Sequence, residues 1–362
     1  MAWAELRDLR NHAETRLNEL PDGLITVAGP NGEGKTNLLE GIAFLFFLES
    51  PRTSSSEPIV RRGSQGPAYA RGEVFTEEAG KVLVEVEIPG RGANRVQVNR
   101  SRVRRKRDLR RQVRAVYFGP DDLVIVIGDP SKRRDFLDDA IRSLWPLKES
   151  AMTAYDRTLR QRNRLIKEWE GRGAPPGLDA WDAELVQNGS ALIRLRAAAA
   201  GRLAPPASDE YRHLAGYDLA VEYAPNVSGE PLEEAFEKRL AERRADELVR
   251  RTTLVGPHRD DLSLAVRDLG ARSFASHGEA WAAAVCLRLG LASAVREEVR
   301  ETPVLLLDDP FSALDPRRQR LVGDRLGERG QVFVSVADDA HVPEGSVQVL
   351  AVSAGTVSIR EG

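Results

Sequence analysis

The sequence predicts an α/β nucleotide-binding fold assembled from both ends of the chain, with a helical second lobe inserted between them. Three observations carry this expectation. A phosphate-binding loop, Gly29-Pro30-Asn31-Gly32-Glu33-Gly34-Lys35-Thr36, stands near the start, and an apolar run ending in acid, Val304-Leu-Leu-Leu-Asp308, stands near the end. Between them, from about residue 131 to 251, lie long stretches rich in Arg, Leu, Ala and Glu that read as helices.

The loop comes first. Residues 23–29 read as a short apolar strand and Asn37-Leu-Leu-Glu-Gly-Ile-Ala-Phe-Leu as a helix, which is the setting a phosphate loop requires. Its glycines let successive N–H groups converge on phosphate oxygens, and the helix N-terminus adds partial positive charge. Lys35 supplies a point charge to the terminal phosphates and Thr36 a hydroxyl to Mg²⁺. A nucleotide with Mg²⁺ is the expected ligand.

Residues 51–66, rich in Ser, Arg, Gly and Pro, read as a mobile surface loop. Lys81-Val-Leu-Val-Glu-Val-Glu-Ile88 alternates as a half-buried strand does, and residues 94–99 continue that sheet. Residues 100–114 then pack eight Arg and one Lys against a single Asp. Arg102, Arg104, Arg105, Lys106, Arg107, Arg110 and Arg111 make this a strong positive patch, for which phosphate backbone is the natural partner. A solvated hairpin, or pairing with an acidic protein, is the alternative. Arg61, Arg62 and Arg71 extend the candidate surface. No interleaved aromatics offer a stacking platform, which favours duplex over bare single strand.

The helical middle is expected to stop at residues 171–177 and at Pro205-Pro206. Its heptad signal is too short for a long coiled coil, so a compact arm is expected. Strand patterns resume at residues 304–308 and 331–336. Asp308, at the C-terminal edge of its strand, is placed to hold Mg²⁺ beside Thr36. Asp309 follows where it can orient or deprotonate an attacking water. Ser276-His-Gly278-Glu279 opens another helix; a Ser N-cap is its plain reading and a second anion site its functional one. His258-Arg-Asp260-Asp261 imitates a kinase catalytic loop or a metal site without the companions either needs, and is expected to be a structural turn.

Composition bounds the rest. At 362 residues, 41% hydrophobic and 30% charged, the chain reads as soluble and globular. Its net charge of −2 averages over uneven segments and names no partner. The single Cys286 excludes an internal disulfide and, in an apolar helical stretch, reads as a buried structural thiol. The charged start is unlike a secretion signal, and the apolar run 42–48 is too short to span a bilayer, so a cytoplasmic protein without a membrane partner is expected.

In order, the phosphate loop, a long insertion, Ser-x-Gly-Glu, the acidic strand and Ser312-Ala-Leu-Asp315 resemble the ABC-type ATPase heads, including the SMC-like ones. Five stretches sharpen the likeness: residues 29–40, Gly119-Pro-Asp-Asp-Leu, Asp129-Pro-Ser-Lys-Arg-Arg-Asp-Phe-Leu-Asp138, Thr253-Leu-Val-Gly-Pro-His-Arg-Asp-Asp-Leu262 and Leu307-Asp-Asp-Pro-Phe-Ser-Ala-Leu-Asp-Pro-Arg-Arg318. Together they resemble the RecF family over nearly the whole chain. The resemblance implies an SMC-like head with lobe I from residues 1–120 and 299–362 and a largely helical lobe II from 121–298. It also implies an ATP-dependent homodimer that binds DNA, acts with RecR and RecO in loading RecA, and works as a weak DNA-stimulated ATPase switch. Carried over by residue, Gly29 to Asn37 hold the nucleotide, with Lys35 on phosphate and Thr36 and Asp308 on Mg²⁺. Asp309 occupies the place of the catalytic Glu of many ABC ATPases. Ser276, Gly278 and Glu279 read the γ-phosphate on the partner subunit, with Asp315 at the dimer seam.

Against the broader ABC pattern, no Gln follows the strand Ala115-Val-Tyr-Phe118, and His341 falls late after the last core strand. With Asp for the usual Glu, slow hydrolysis is expected. A transporter's nucleotide-binding subunit and a monomeric phosphate-loop kinase are the alternative readings; the first needs the missing Gln and His, the second needs no Ser-x-Gly-Glu.

Overall fold

The computed structural model describes residues 1–53 and 55–360; Ser54, within the loop at 51–66, and Glu361 and Gly362, at the end of the expected first lobe, lie outside the described residues. Three strands, β1 (Trp3–Leu9), β2 (His12–Leu17) and β3 (Leu24–Ala28), lead into α1 (Lys35–Phe47). There follow β4 (Ala68–Thr76), β5 (Gly80–Ile88), β6 (Arg95–Val98), β7 (Ser101–Arg102), the short α2 (Lys106–Arg110) and β8 (Ala115–Phe118). β1, β2 and β4 to β7 form an antiparallel sheet in the order β2-β1-β4-β5-β6-β7. Period-two alternation turns Val82, Val84, Val86 and Ile88 of β5 to one buried face.

That face meets α1, ten of whose 13 residues are buried. Leu38, Leu39, Ile42, Phe44 and Phe46 share one core with the antiparallel sheet and with Ile25, Leu306 and Phe333 of a second sheet. A helix enclosed by two sheets needs apolar residues nearly all round, and α1 has them.

The helical middle runs through α3 (Leu123–Ile127), α4 (Pro130–Leu144), α5 (Glu149–Glu168) and α6 (Leu178–Ala215). After β9 (Leu219–Ala224) come α7 (Leu232–Arg250), β10 (Asp261–Val266), β11 (Leu269–Gly270), α8 (Ala271–Phe274) and α9 (His277–Val299). β9, β10 and β11 make a small sheet that the helical reading of this region omitted. The chain closes with β12 (Val304–Leu307), α10 (Pro316–Gly327), β13 (Val332–Val336), β14 (Gln348–Ser353) and β15 (Thr356–Arg360). The second large sheet, β15-β14-β3-β13-β12-β8, is parallel from β14 to β8 and draws on residues 24–28, 115–118 and 304–360. A central, mostly parallel sheet is thus built from both ends of the chain.

One expectation fails outright. Pro205 and Pro206 do not stop a helix; α6 runs through them for 38 residues. A proline inside a helix forfeits a backbone hydrogen bond and costs about 3 kcal/mol. Packing offsets that here, because Ala199, Ala200, Leu203, Ala207 and Tyr211 are buried against α9 and its neighbours. The contact is closest beside the prolines: a Cβ on Gly290 of α9 would lie 2.6 Å from the Ala207 nitrogen. α9 itself is long and apolar enough to cross a membrane, yet it is a core helix packed against α6 and β8. It carries Cys286, which is buried.

The turn at His258 is a structural knot. Asp260, fully buried, accepts hydrogen bonds from Asn226 N at 2.7 Å, from Arg196 at 3.3 Å and from the Tyr223 hydroxyl. Asp261 takes the Arg133 guanidinium through bonds of 2.6 and 2.9 Å, tying β10 to α4. His258 sits between the Tyr155 hydroxyl at 2.6 Å and the Thr253 carbonyl at 3.1 Å.

Candidate nucleotide site

The loop between β3 and α1 takes its shape from three glycines with positive φ: Gly29 (+157°), Gly32 (+88°) and Gly34 (+119°). At Gly29 a Cβ would run into the Val352 carbonyl, and at Gly34 it would lie 2.6 Å from the Asn11 amide. One closure comes from strand β14 and the other from the β1–β2 turn, neither flagged by the sequence. Asn11, between β1 and β2, donates to the Glu33 carbonyl at 2.9 Å and accepts from Asn37 at 2.8 Å. His12 meets the Gly34 carbonyl at 3.0 Å, and burial pushes its pKa down. From the β14–β15 turn, Gly355 N donates to the Glu33 carbonyl at 2.9 Å and Ala354 N to the Glu33 carboxylate. Pro30 and Asn31 lie exposed at the rim.

Lys35 bends over this loop, donating to the carbonyls of Gly29 at 2.6 Å and Pro30 at 2.9 Å. Thr36 Oγ1 donates to Asp308 Oδ1 at 2.9 Å, and Ser335 Oγ donates to the same oxygen at 2.8 Å. Burial raises the Asp308 pKa, against the opposing pull of these two hydroxyls. Asp309, at φ +51°, holds a left-handed conformation fixed by its N–H on Ser335 Oγ at 2.8 Å. Its pKa is raised by burial and by the neighbouring Asp308 charge. His341 pairs with Asp338 at 2.6 Å.

A Thr hydroxyl and a carboxylate converging beside a phosphate loop are hard oxygen donors, and they fit Mg²⁺. Among the described residues no group of three or more His, Cys, Asp or Glu is arranged for a metal. The ion would therefore be shared with nucleotide phosphates, the usual habit of Mg²⁺.

The second cluster lies at the N-terminus of α9. Ser276 caps it in a reciprocal box: its Oγ accepts from Glu279 N at 3.3 Å and Glu279 Oε2 accepts from Ser276 N at 2.9 Å. Glu279 also accepts from the Tyr217 hydroxyl at 2.6 Å, and Arg267 stands 3.0 Å away; led by the Tyr217 bond, these contacts lower its pKa to about 2. A Cβ at Gly278 would lie 3.4 Å from the Ala313 carbonyl, so the cap borders the loop ending in Asp315. Asp315 in turn caps α10, accepting from the N–H groups of Arg317 and Arg318, each at 3.0 Å.

The cap does not share the cavity beside Thr36 and Asp308. On α9 it is Arg288, not Ser276, that lines a cavity with Thr36 and Asp308. Twelve residues of helix, about 18 Å along the axis, separate them. Where a Gln was missed after β8, Asp122 instead takes Arg288 through bonds of 2.6 and 3.1 Å and accepts from Gly119 N at 3.0 Å.

The basic run divides. Arg102, Arg104, Arg105 and Arg111 are exposed. Lys106 pairs with Glu49, and Arg107 is half-buried. Arg110 corrects the sequence reading: it is buried, bound to Glu49 at 2.9 Å with Glu149 at 3.5 Å, because it shares the inward side of α2 with Leu109. Arg61 and Arg71 are likewise committed, to Asp8 at 2.8 Å and Glu85 at 2.9 Å.

The fold and site define an ABC-type ATPase head of the SMC-like kind. The family model described as "RecF/RecN/SMC N terminal domain" matches residues 3–358. The chain belongs to the RecF family: it is 38% identical to the DNA replication and repair protein RecF of Cutibacterium acnes, over 94% of this chain and 93% of that protein. It is 40% identical to RecF of Streptomyces avermitilis, over 93% of each. A solved structure of the recombination mediator protein RecF with ATP superposes with a TM-score of 0.89 at 27% identity, covering 99% of this chain and 97% of that one. The Smc head domain of Pyrococcus furiosus shares the fold at a TM-score of 0.58 and 15% identity.

Proposed function

We propose that this chain is an ATP-operated DNA clamp of recombinational repair. Two protomers would close on two nucleotides, each held by Lys35, Thr36 and Asp308 of one chain and capped by Ser276 and Gly278 of the other. The observation that carries this reading is that Ser276 and Gly278 do not line the cavity beside Thr36 and Asp308, which leaves that cap available to a second copy. Lys35 would neutralise the terminal phosphates, Asp308 and Thr36 would hold Mg²⁺, and Asp309 would orient or deprotonate the attacking water. Asp309 carries one methylene fewer than a Glu, and misplacement of about 1 Å costs on the order of a hundredfold, so turnover is slow and serves as a timer.

Arg102, Arg104, Arg105 and Arg111 would meet duplex phosphates near a gap or junction, stimulating the ATPase. Solved relatives are described as the mediator of the RecFOR pathway, which supports RecR and RecO as partners, RecA loading as the outcome and the cytoplasm as the setting. Residues 1–120 with 299–362 would move as the nucleotide lobe against 121–298. RecF membership displaces the transporter and kinase alternatives.

The test is the solution mass by light scattering without nucleotide, with ADP and with ATP·Mg²⁺. The mass should double only with ATP in the wild type, and in neither Lys35→Met nor Ser276→Arg. An unchanged mass with ATP defeats the clamp.

A further inference from the structure

The two-residue turn between β10 and β11 is made of residues that fit it poorly. Arg267 and Asp268 both hold left-handed conformations, at φ +50° and +62°, with Val266 paired to Leu269 across them. Tight hairpins of this kind favour Asn or Gly there, because a side chain is crowded at positive φ. Such strain gathers where a side chain has to be aimed.

Arg267 is aimed at the α9 cap. Its guanidinium carbon lies 4.2 Å from the Tyr217 ring centroid, and one of its nitrogens donates to the Tyr217 hydroxyl at 2.8 Å. That nitrogen stands 3.0 Å from Glu279 Oε1, to which the Tyr217 hydroxyl donates in turn at 2.6 Å. The Arg267 side chain is 62% exposed, and an exposed ion pair stabilises a fold little. Folding therefore does not account for the arrangement.

The other carboxylate oxygen governs Ser276. Glu279 Oε2 accepts from Ser276 N at 2.9 Å and from the Ser276 hydroxyl at 2.8 Å, while that hydroxyl accepts from Glu279 N at 3.3 Å. The hydroxyl hydrogen is thus committed inside the cap. Turning it out to a phosphate would break one bond, and Ser276 N would still hold the carboxylate. Glu279 is ionised and can only accept, so it has no hydrogen to offer a phosphate oxygen. Its charge is the larger obstacle. The N-terminus of α9 is worth about half a positive charge, which a full negative charge on its third residue more than cancels. Arg267 reverses that sign. Arg318, with a nitrogen that would lie 3.8 Å from a Cβ on Gly278, is already matched by Asp315 at 3.5 Å.

We infer that Arg267 is the positioning residue that makes the α9 cap receptive to a phosphate, by neutralising Glu279 and holding its Oε1 while the Ser276 hydroxyl turns outward. The phosphate is that of a nucleotide on a second copy of this chain, so the inference rests on the proposed clamp. Glu279 satisfies the Ser276 hydroxyl before closure, and Arg267 keeps its charge from repelling the phosphate at closure.

The test is a charge-compensation cycle on the dimer formed with ATP·Mg²⁺, its dissociation constant measured by sedimentation. Arg267→Gln, Arg267→Lys, Glu279→Gln and the double variant Arg267→Gln with Glu279→Gln are compared with wild type and Ser276→Arg. Gln serves in a capping box as Glu does, so Glu279→Gln keeps α9 capped. Arg267→Gln should weaken the dimer about tenfold, as an unmatched like charge at an interface does, and Arg267→Lys should restore most of the loss. Glu279→Gln alone should tighten the dimer. The double variant should dimerise about as the wild type does, because no carboxylate is left to neutralise. A folding defect would not be repaired by the second substitution, so rescue separates charge from structure. With Ser276→Arg still monomeric, an Arg267→Gln that dimerises as wild type, or a loss that Glu279→Gln fails to repair, overturns the inference. If Ser276→Arg also dimerises, or the wild type gains no mass with ATP, the clamp reading fails and takes the inference with it.

Discussion

Thr36 and Asp308, 272 positions apart in the sequence, meet through a hydrogen bond of 2.9 Å. One comes from the first turn of α1 and the other from the end of β12, with β13 between β12 and β3 in the sheet. It is β13 that completes the pair, because its Ser335 donates to the same Asp308 oxygen and accepts from the Asp309 N–H. One hydroxyl thereby fixes both acids.

Replacing that hydroxyl should separate aim from binding. Ser335→Ala leaves a buried apolar strand intact but frees Asp308 and Asp309 to shift. Turnover of ATP should fall about tenfold to a hundredfold, as small misplacements of catalytic groups do. Stability should fall by about 1–2 kcal/mol, from the orphaned Asp309 N–H. Steady-state hydrolysis and urea denaturation check both, and unchanged turnover would show that Ser335 aims nothing.

Asn11 gives a second prediction. Its amide spans Glu33 and Asn37, bracing the phosphate loop at both ends of its last turn. Asn11→Ala should lower ATP affinity about fivefold to thirtyfold, two net hydrogen bonds' worth, with and without Mg²⁺ alike. A loss of affinity distinguishes it from Ser335→Ala, whose expected effect is on turnover. A loss confined to the Mg²⁺ titration would count against a brace of the loop.

Much of this site was legible because its chemistry is local. Gly29 to Thr36 announces itself through spacing, and Asp308 through four apolar residues ending in acid. Ser335, Asn11 and Arg288 were missed because each acts on a partner far away in sequence. Ser335 left one signal, a hydroxyl inside an otherwise apolar buried strand. Asn11 left none, since an Asn between two strands is ordinary turn chemistry. The proline pair of α6 misled for the complementary reason: local propensity yields where Gly290 lets α9 pack tightly on Ala207. The basic run read correctly as charge, while the inward turn of Arg110 depends on Glu49 and Glu149, which no local pattern links to it.

That division of the run is measurable. If it contacts DNA as proposed, replacing Arg104, Arg105 and Arg111 with Ala should flatten the log affinity against log salt slope by about 3, at roughly 0.9 per phosphate contact. Their melting temperatures should stay unchanged. Arg110→Ala should do the reverse, costing about 1–2 kcal/mol of stability, since Glu49 is half exposed and is left only partly desolvated. A salt slope insensitive to the triple variant removes this surface from the DNA reading.

The last prediction concerns pH. The Thr253 carbonyl facing Nε2 of His258 can only accept, so Nε2 carries a proton, and in the neutral ring Nδ1 is then free to accept from the Tyr155 hydroxyl. Burial is the chief cause that brings its pKa down to about 4, from the ordinary 6.5. Between those values the unfolded chain binds the proton and the folded chain does not, so stability rises with pH through the window. The contribution is complete above pH 6.5 and is lost as pH falls toward 4. It amounts to about 3 kcal/mol at most, at roughly 1.4 kcal/mol for each tenfold loss of proton affinity on folding. His12, also held below its usual pKa by burial, adds in the same direction, while the raised Asp308 and Asp309 oppose it, so the His258 share is read from the difference between wild type and variant. His258→Gln removes one titrating group and leaves the other. Urea denaturation at pH 7, 5.5 and 4.5 should therefore find the wild type more stable than the variant at pH 7, with the gap closing as pH falls. A gap that stays constant would mean that His258 is not held neutral in the folded protein.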